Sequence, residues 1–311
     1  MSTWPAPRAL LQREWSAFRA AVNRIFRPAG GDLTHELPLL FRAENRENLR
    51  VVVDDAGAVV AHAGCVRREA VIFNRRTTIG VIAAVFTDPA VRGRGLGTRV
   101  LLDALGRVRP GADLVLASGD RDLYRRQGFE PTAPMARFRL PSPSAARVPE
   151  PYALRELGGD RGEGAPAQDL PPAVLADLRG LHDAEPVHFV RSEEDWRLLL
   201  GAGRLVDAAA RFTLVERAGR PVAFLATQVA SARPDGTMRP RRILEVAGDR
   251  EAIVAIAPFV GDELLVPSYD APTIDRAVAA GWVRTVRQFP ITAEPLTATA
   301  RVVPWYGLDY L

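Results

Sequence analysis

Apolar positions along the chain recur with two periods, and together they describe two similar halves. From Pro7 to Phe26 the spacing of Leu10, Leu11, Trp15, Phe18, Val22, Ile25 and Phe26 predicts a helix, and Leu39 to Asn48 predicts a shorter one. Leu49 to Asp55 and Val59 to Asn74 read as strands joined through the turn Asp55-Ala56-Gly57. A strand from Thr77 to Thr87, a helix from Leu96 to Arg107, a strand from Asp113 to Ser118 and a helix from Arg121 to Gln127 follow. Phe129 to Leu140 closes this half as one or two strands, and no clear strand is read before Pro7.

Pro141 to Pro151, rich in proline, serine and alanine, reads as a linker, and Gly158 to Pro172 as an exposed loop. Between and beyond them the first half repeats coarsely. Strand Tyr152 to Leu157 precedes helix Ala173 to His182, and Ser192-Glu193-Glu194-Asp195 is a capping box opening helix Glu193 to Leu200. Strands Arg211 to Glu216, Val222 to Val229 and Arg242 to Val246 lead into helix Arg250 to Phe259. Strand Glu263 to Pro267, helix Pro272 to Ala280 and Gly281-Trp282 then echo the end of the first half.

The run Val85 to Thr98 carries the chemistry. Its strand stops at Asp88-Pro89, and Arg92-Gly93-Arg94-Gly95-Leu96-Gly97 opens directly onto the helix marked by Val100, Leu101, Leu102 and Leu105. A glycine-rich turn before a helix aims unpaired N–H groups outward, with the positive end of the helix dipole behind them, which suits a pyrophosphate. A dinucleotide fingerprint would space its glycines as G-x-G-x-x-G, and a P-loop is excluded because the chain has no lysine. At Arg92, Gly95 and Gly97 the sequence resembles the GNAT superfamily of N-acetyltransferases, whose acetyl-CoA signature is Arg/Gln-x-x-Gly-x-Gly/Ala. Downstream, Ala117-Ser118, Leu123-Tyr124 and Gly128-Phe129 are similar to the enhanced-intracellular-survival branch, with the Ser-to-Tyr segment one residue longer.

This resemblance implies an α+β (α/β) fold: a GNAT-type acyl-CoA N-acyltransferase fold with a mixed central sheet flanked by helices, followed by a second, degenerate GNAT-like domain. The expected boundaries are 1–141 for the catalytic acetyl-CoA-binding domain, 142–151 for the linker and 152–311 for the degenerate domain. Where the first half has its glycine turn, the second has Val246-Ala247-Gly248-Asp249-Arg250-Glu251, with one glycine and two acids where an anion would sit. No tyrosine stands four residues before Gly281. Tandem copies are known in the same branch and in mycothiol synthase; the former has a further sterol-carrier-like domain, and in the latter the C-terminal copy does the chemistry.

The implied reaction is direct attack of an amine on the acetyl thioester of acetyl-CoA, used as co-substrate and without a metal. Backbone groups of Val85, Phe86 and Thr87 would pair with the pantetheine arm and polarise the thioester carbonyl. Arg92, Gly93, Arg94, Gly95, Leu96, Gly97 and Thr98 would hold the pyrophosphate, with Ser118 and Gly119 lining the arm or the acceptor. Tyr124 would protonate the departing thiolate, since a phenol of pKa about 10 is protonated at neutral pH. Base candidates are His35, Glu36, Glu44 and His62, then His182 and His188; the resemblance adds the carboxylate of Leu311.

Composition sets limits. Its 311 residues suffice for two domains, with 47% hydrophobic and 25% charged residues. No apolar run is long enough to span a membrane and no signal peptide is read, so the expected location is cytoplasmic, with no membrane partner. Cys65, the single cysteine, lies in an apolar strand and reads as a packed thiol. All 41 basic residues are arginine, so a net charge of only +4 gives a pI near 9.8 without marking a nucleic-acid binder. The expected partner is a small-molecule or peptide amine, with a homo-oligomer left open. A catalytically weak acyl-CoA-binding regulatory protein is the alternative; nucleic-acid binding rests on the basic balance alone.

Overall fold

The computed structural model describes residues 4–132, 134–143, 147–157, 170–232, 236–297, 302–304 and 307–309. The chain forms two compact units, residues 1–132 with 290–303 and residues 133–289 with 304–310. Among the described residues no helix is long and apolar enough to cross a membrane.

The first unit runs β1 (Arg8–Ala9), α1 (Trp15–Phe26), α2 (Leu33–Glu36), α3 (Pro38–Phe41), β2 (Leu49–Val53), β3 (Val59–Ile72), β4 (Arg75–Thr87), α4 (Leu96–Val108), β5 (Leu114–Ser118), α5 (Asp122–Arg125) and β6 (Glu130–Pro131). The second runs β7 (Pro134–Arg139), β8 (Tyr152–Leu157), α6 (Pro172–Asp183), β9 (Val187–Phe189), α7 (Glu193–Ala202), β10 (Arg204–Leu205), β11 (Ala208–Arg217), β12 (Arg220–Gln228), β13 (Ser231–Ala232), β14 (Met238–Arg239), β15 (Arg242–Gly248), α8 (Arg250–Val260), β16 (Glu263–Pro267), α9 (Ala271–Ala279) and β17 (Arg284–Gln288). A last strand, β18 (Ile291–Pro295), returns to the first unit.

The first sheet has the order β1-β2-β3-β4-β5-β18-β6. Strands β4 and β5 are parallel, with Ile79 opposite Leu114 and Ile82 opposite Ala117, and their pairing ends there although β4 continues to Thr87. Alternation along β3 divides the faces. Ala61, Ala63 and Cys65 join the core with Leu96, Val100 and Leu101 of α4, while His62 faces Phe18 of α1 and Phe41 of α3. The second sheet has the order β10-β11-β12-β15-β16-β7-β17. Its parallel pair, β15 and β16, separates after Ile243 and Leu264, and Ile253, Ile256 and Ala257 of α8 fill the place that α4 fills in the first unit.

Three differences from the sequence reading have physical causes. Arg8–Ala9, inside the expected first helix, is a strand, its backbone taken up by pairing with Val51 and Arg50, so helix α1 begins only at Trp15. The helix expected from Leu39 is broken at Arg42, whose backbone is extended, so that a single turn ends at Phe41 and residues 43–48 wind as 3-10. Strand β7, read as closing the first half, pairs with β16 and β17 instead, and β18 fills the matching place between β5 and β6. Sequence periodicity identifies strands but carries nothing about partners more than a hundred residues away.

The end of the chain is anchored within the second unit. Gly307–Asp309 forms a 3-10 turn whose Asp309 is 2% exposed. The buried Arg191 guanidinium donates to Asp309 Oδ2 at 2.8 and 2.5 Å and to both oxygens of Glu245 at 2.7 and 3.1 Å. The Leu308 amide donates to Glu245 at 2.6 Å. Trp305, Tyr306, Tyr310 and Leu311 lie outside the described residues. Arg191→Ala would leave two buried carboxylates without their shared cation, so we expect a loss of about 3–5 kcal/mol in urea unfolding. The exposed pair Arg76–Glu69 should cost under about 1 kcal/mol when broken.

Candidate active site

The glycine turn is built from three glycines with different tasks. Gly93 and Gly95 have φ of +78° and +75°, and a Cβ on either would meet nothing within 4 Å. Their role is conformational, since side-chain residues rarely adopt this region. Gly97 is a matter of space: a Cβ there would lie 2.8 Å from Thr87 Oγ1, so the first turn of α4 sits directly against the end of β4. No side chain caps α4 and no acid lies in its first turn. Its leading N–H groups are open to an anion. The preceding corner is fixed by Asp88, which accepts from the Ala90 amide at 2.9 Å and pairs with Arg24 at 2.6 Å.

Past Ile82 the inner edge of β4 faces the gap that β5 has left. The Asp88 amide bonds Val60 on the β3 side, so by alternation the Thr87 amide faces the gap. A bulge interrupts the strand: Gly64 pairs with Ala83 and His62 with Phe86, leaving Ala84 and Val85 against Ala63. Ala84 has φ of +53°, unusual for a residue with a side chain. Its carbonyl accepts from His62 Nδ1 at 2.8 Å, and the Val85 carbonyl accepts from Arg121 at 3.3 Å. Because a carbonyl only accepts, His62 carries its proton on Nδ1; Nε2 is buried without a hydrogen-bond partner. Burial lowers the imidazole pKa to about 4, against a smaller opposing effect of the Ala84 bond.

Tyr124 is 1% exposed, on α5, in the same apolar cluster as Val85 and Leu96, with its ring 6.0 Å from Phe129. Gly119, with φ of +125°, lets the tyrosine ring approach, since a Cβ there would stand 3.2 Å from it. Ser118 pairs with Ile291, and the Gly119 amide donates to Pro290 at 2.6 Å. Ends of β4, α4, β5 and α5 therefore converge, carrying Val85, Thr87, Gly97, Ser118, Gly119 and Tyr124. Arg92 reaches the Thr87 carbonyl at 3.4 Å, while Arg94 stacks 5.8 Å over Trp4. Phe86 points to the other face, 5.8 Å from His62.

The remaining sequence candidates separate. His35 and Glu44 are exposed, and Glu36 is held by Arg27 at 2.7 Å. His182 and His188 belong to the second unit, bonded to the carbonyls of Phe189 and Glu185. Leu311 lies outside the described residues. Burial pushes the Cys65 thiol up to about 12, in keeping with a packed core thiol. Among the described residues no cluster of three or more His, Cys, Asp or Glu side chains could share a metal ion.

The second unit has the same strand divergence and a cavity of about 460 Å³ beside it, lined by Leu244, Val246, Leu265 and Arg250 among others. Its helix start is closed. Asp249 accepts from the Glu251 and Ala252 amides at 2.8 and 3.3 Å, and Glu185 accepts from the Gly248 amide at 2.8 Å and from Arg250 at 2.7 Å. Carboxylates thus hold the donors that a pyrophosphate would need. Asp249 is legible in the sequence; Glu185, far from the turn along the chain, is not, and neither is Arg121.

Residues 46–131 match the family model of the acetyltransferase (GNAT) domain. No curated protein sequence matches the chain. In structure it is similar to a GCN5-related N-acetyltransferase from Anabaena variabilis, at 16% identity and a TM-score of 0.64, over 94% of this chain and 72% of that one. A conserved protein from Enterococcus faecalis gives 12% identity and 0.67, over 95% and 73%. Eis1 from Mycobacterium abscessus gives 16% and 0.54, over 93% and 72%. These likenesses concern the fold.

A buried neutral histidine has a definite effect on stability. His62 titrates near 6.5 when unfolded and about 4 when folded, so its contribution is complete above pH 6.5 and is lost as pH falls towards 4. His182 is shifted in the same direction by burial and by Arg191. We expect the unfolding free energy from urea titration to drop between pH 7 and 4.5. His62→Leu should reduce that drop by about 2–3 kcal/mol. An unchanged pH dependence in the variant would show that the ring is not held neutral.

Proposed function

We propose that this chain, which carries an acetyltransferase (GNAT) domain in its first unit, moves the acetyl group of acetyl-CoA to an amine of a small molecule or peptide. One observation carries the reading: the start of α4 is uncapped and free of acids, whereas the matching start of α8 is closed by Asp249 and Glu185. The pyrophosphate would lie on the turn from Arg92 to Thr98, with Gly93 and Gly95 setting its curvature and Gly97 its depth. The arm would run along the gap between β4 and β5, where backbone groups of Val85 and Thr87 are exposed to it. Ser118 and Gly119 form the far lip of that gap.

Chemistry would follow by direct attack. The amine nitrogen bonds to the thioester carbon while a backbone N–H of the bulge takes up charge developing on the carbonyl oxygen. The C–S bond then breaks, and the thiolate takes the phenolic proton of Tyr124; an ordinary phenol, of pKa about 10, carries that proton at neutral pH. The nitrogen proton goes to a base or to water. Burial of Tyr124 among Val85, Leu96 and Phe129 supports this role, because the phenol is held on rigid elements out of bulk water.

Calorimetry tests the cofactor. Acetyl-CoA should bind once per chain at micromolar affinity, and Gly95→Glu should abolish binding by adding a strained φ and a negative charge to the turn. Undiminished binding in that variant would place the phosphates elsewhere. Binding without turnover on any of a panel of amines would favour the regulatory reading.

Tyr124→Phe keeps the ring and its packing and removes only the hydroxyl. Turnover with an accepted amine should then fall about 10²-fold, with acetyl-CoA affinity little changed. Wild-type turnover would leave Tyr124 as a packing residue.

A further inference from the structure

We propose that His62 is a positioning residue for acyl transfer: through its bond to the Ala84 carbonyl it sets the direction of the Val85 N–H. The inference rests on the acyl-transfer reading above and assigns a task that the motif does not contain. Ala84 and Val85 share a trans peptide, in which the carbonyl and the N–H point in opposite directions. His62 Nδ1 holds that carbonyl at 2.8 Å on the face carrying α1 and α3. The Val85 N–H must therefore point away from that face, towards the side on which α4 begins. Val85 is the bulge residue next to the gap, so this N–H is the donor best placed for a thioester carbonyl.

The bulge needs such a hold. Ala84 sits at φ of +53°, a strained conformation that persists only where its surroundings hold it, and the Ala84–Val85 peptide can turn about ψ of Ala84 and φ of Val85 unless its carbonyl is held. Turning it over would swing the Val85 N–H to the wrong face. His62 is well suited to prevent this, because it is fully buried and cannot turn freely between Phe18, 4.8 Å away, and Phe86, 5.8 Å away. The Arg121 bond to the Val85 carbonyl fixes the next peptide, so both peptides of Val85 are held from outside the strand. An aliphatic side chain at position 62 would fill the aromatic box and release the carbonyl. Asparagine would offer an N–H near the position of Nδ1, whereas glutamine would carry its N–H one methylene too far.

The test is infrared difference spectroscopy of [1-13C]acetyl-CoA bound to the full-length protein, which needs no acceptor. In wild type the thioester carbonyl stretch should fall below its value in water. His62→Leu should bring it back towards that value while acetyl-CoA affinity stays within about threefold, because the pyrophosphate turn is untouched. His62→Asn should restore most of the shift. Turnover, with an accepted amine or water, should fall about 10–100-fold in the leucine variant at nearly constant KM for acetyl-CoA, and recover in the asparagine variant.

An unshifted carbonyl in wild type, the same stretch in wild type and His62→Leu, or equal losses for asparagine and leucine would each overturn the proposal. Failure of the wild type to bind acetyl-CoA would instead bring down the acyl-transfer reading on which it stands. Should the leucine variant not fold, the comparison moves to asparagine and glutamine: the proposal requires asparagine to restore the shift and glutamine to lose it.

Discussion

Each unit depends on a parallel strand pair that does not stay paired. Ordinary parallel strands satisfy each other's backbone groups along their length and are covered on both faces. Here β4 leaves β5 after Ile82 and Ala117, and its next residues have backbone groups with no neighbouring strand on that edge. Such groups are costly if buried and useful if a ligand can pair with them. The surroundings make the opening durable. β18 covers the far edge of β5, Asp88 and Arg24 fix the end of β4, and His62 and Arg121 hold the two carbonyls at the bulge. The gap is a rigid feature, built from elements whose own hydrogen bonds are already made elsewhere.

Comparing the units shows how little separates an open site from a closed one. Both have the diverging pair, the helix behind it and a core under that helix. The difference lies in which oxygen answers the helix N-terminus. An N-cap aspartate is the ordinary solution, and α8 has it in Asp249, reinforced by the buried-side carboxylate of Glu185 on Gly248. At α4 glycine occupies the cap position, so no side-chain oxygen answers the first N–H groups, at a cost of roughly a few tenths of a kcal/mol relative to a capping side chain. A helix start left without its cap, facing an open gap, is a local sacrifice of stability of the sort expected at a functional site.

What could be read from the sequence follows the range of the interaction concerned. The glycine turn, the spacing from Tyr124 to Gly128, the capping box at Ser192 and the acid at Asp249 each act within one turn of chain. All are visible as residue types at fixed spacing. The pairing of β18 with β5, of β7 with β16, and the bonds His62–Ala84, Arg121–Val85 and Glu185–Gly248 join positions from about twenty to more than a hundred residues apart. No periodicity encodes them. Arg8–Ala9 was hidden for a related reason, since two residues paired to β2 leave no pattern of their own. The second unit's buried Arg191 is another such case: its arginine type is ordinary, and only folding brings Glu245 and Asp309 to it.

Energetics also decide between the two tasks open to His62. As general base it would receive a proton from an ammonium whose pKa, on the lysine scale, is about 10.4. With its own pKa lowered to about 4 by burial, that transfer would run uphill by roughly six units, or about 8 kcal/mol. A penalty of that size exceeds all that a positioned base contributes, about 10²–10⁴-fold in rate or about 3–5 kcal/mol. Its proton-bearing nitrogen is moreover already committed to Ala84, and its free one lies among aromatic rings. The same burial that disqualifies it as a base suits it to hold a peptide. An imidazole that stays neutral throughout the working pH range keeps one tautomer, and so one donor, aimed at one carbonyl. The bulge geometry then does not vary with pH, and an amine acceptor, on the reading proposed above, would lose its proton by another route.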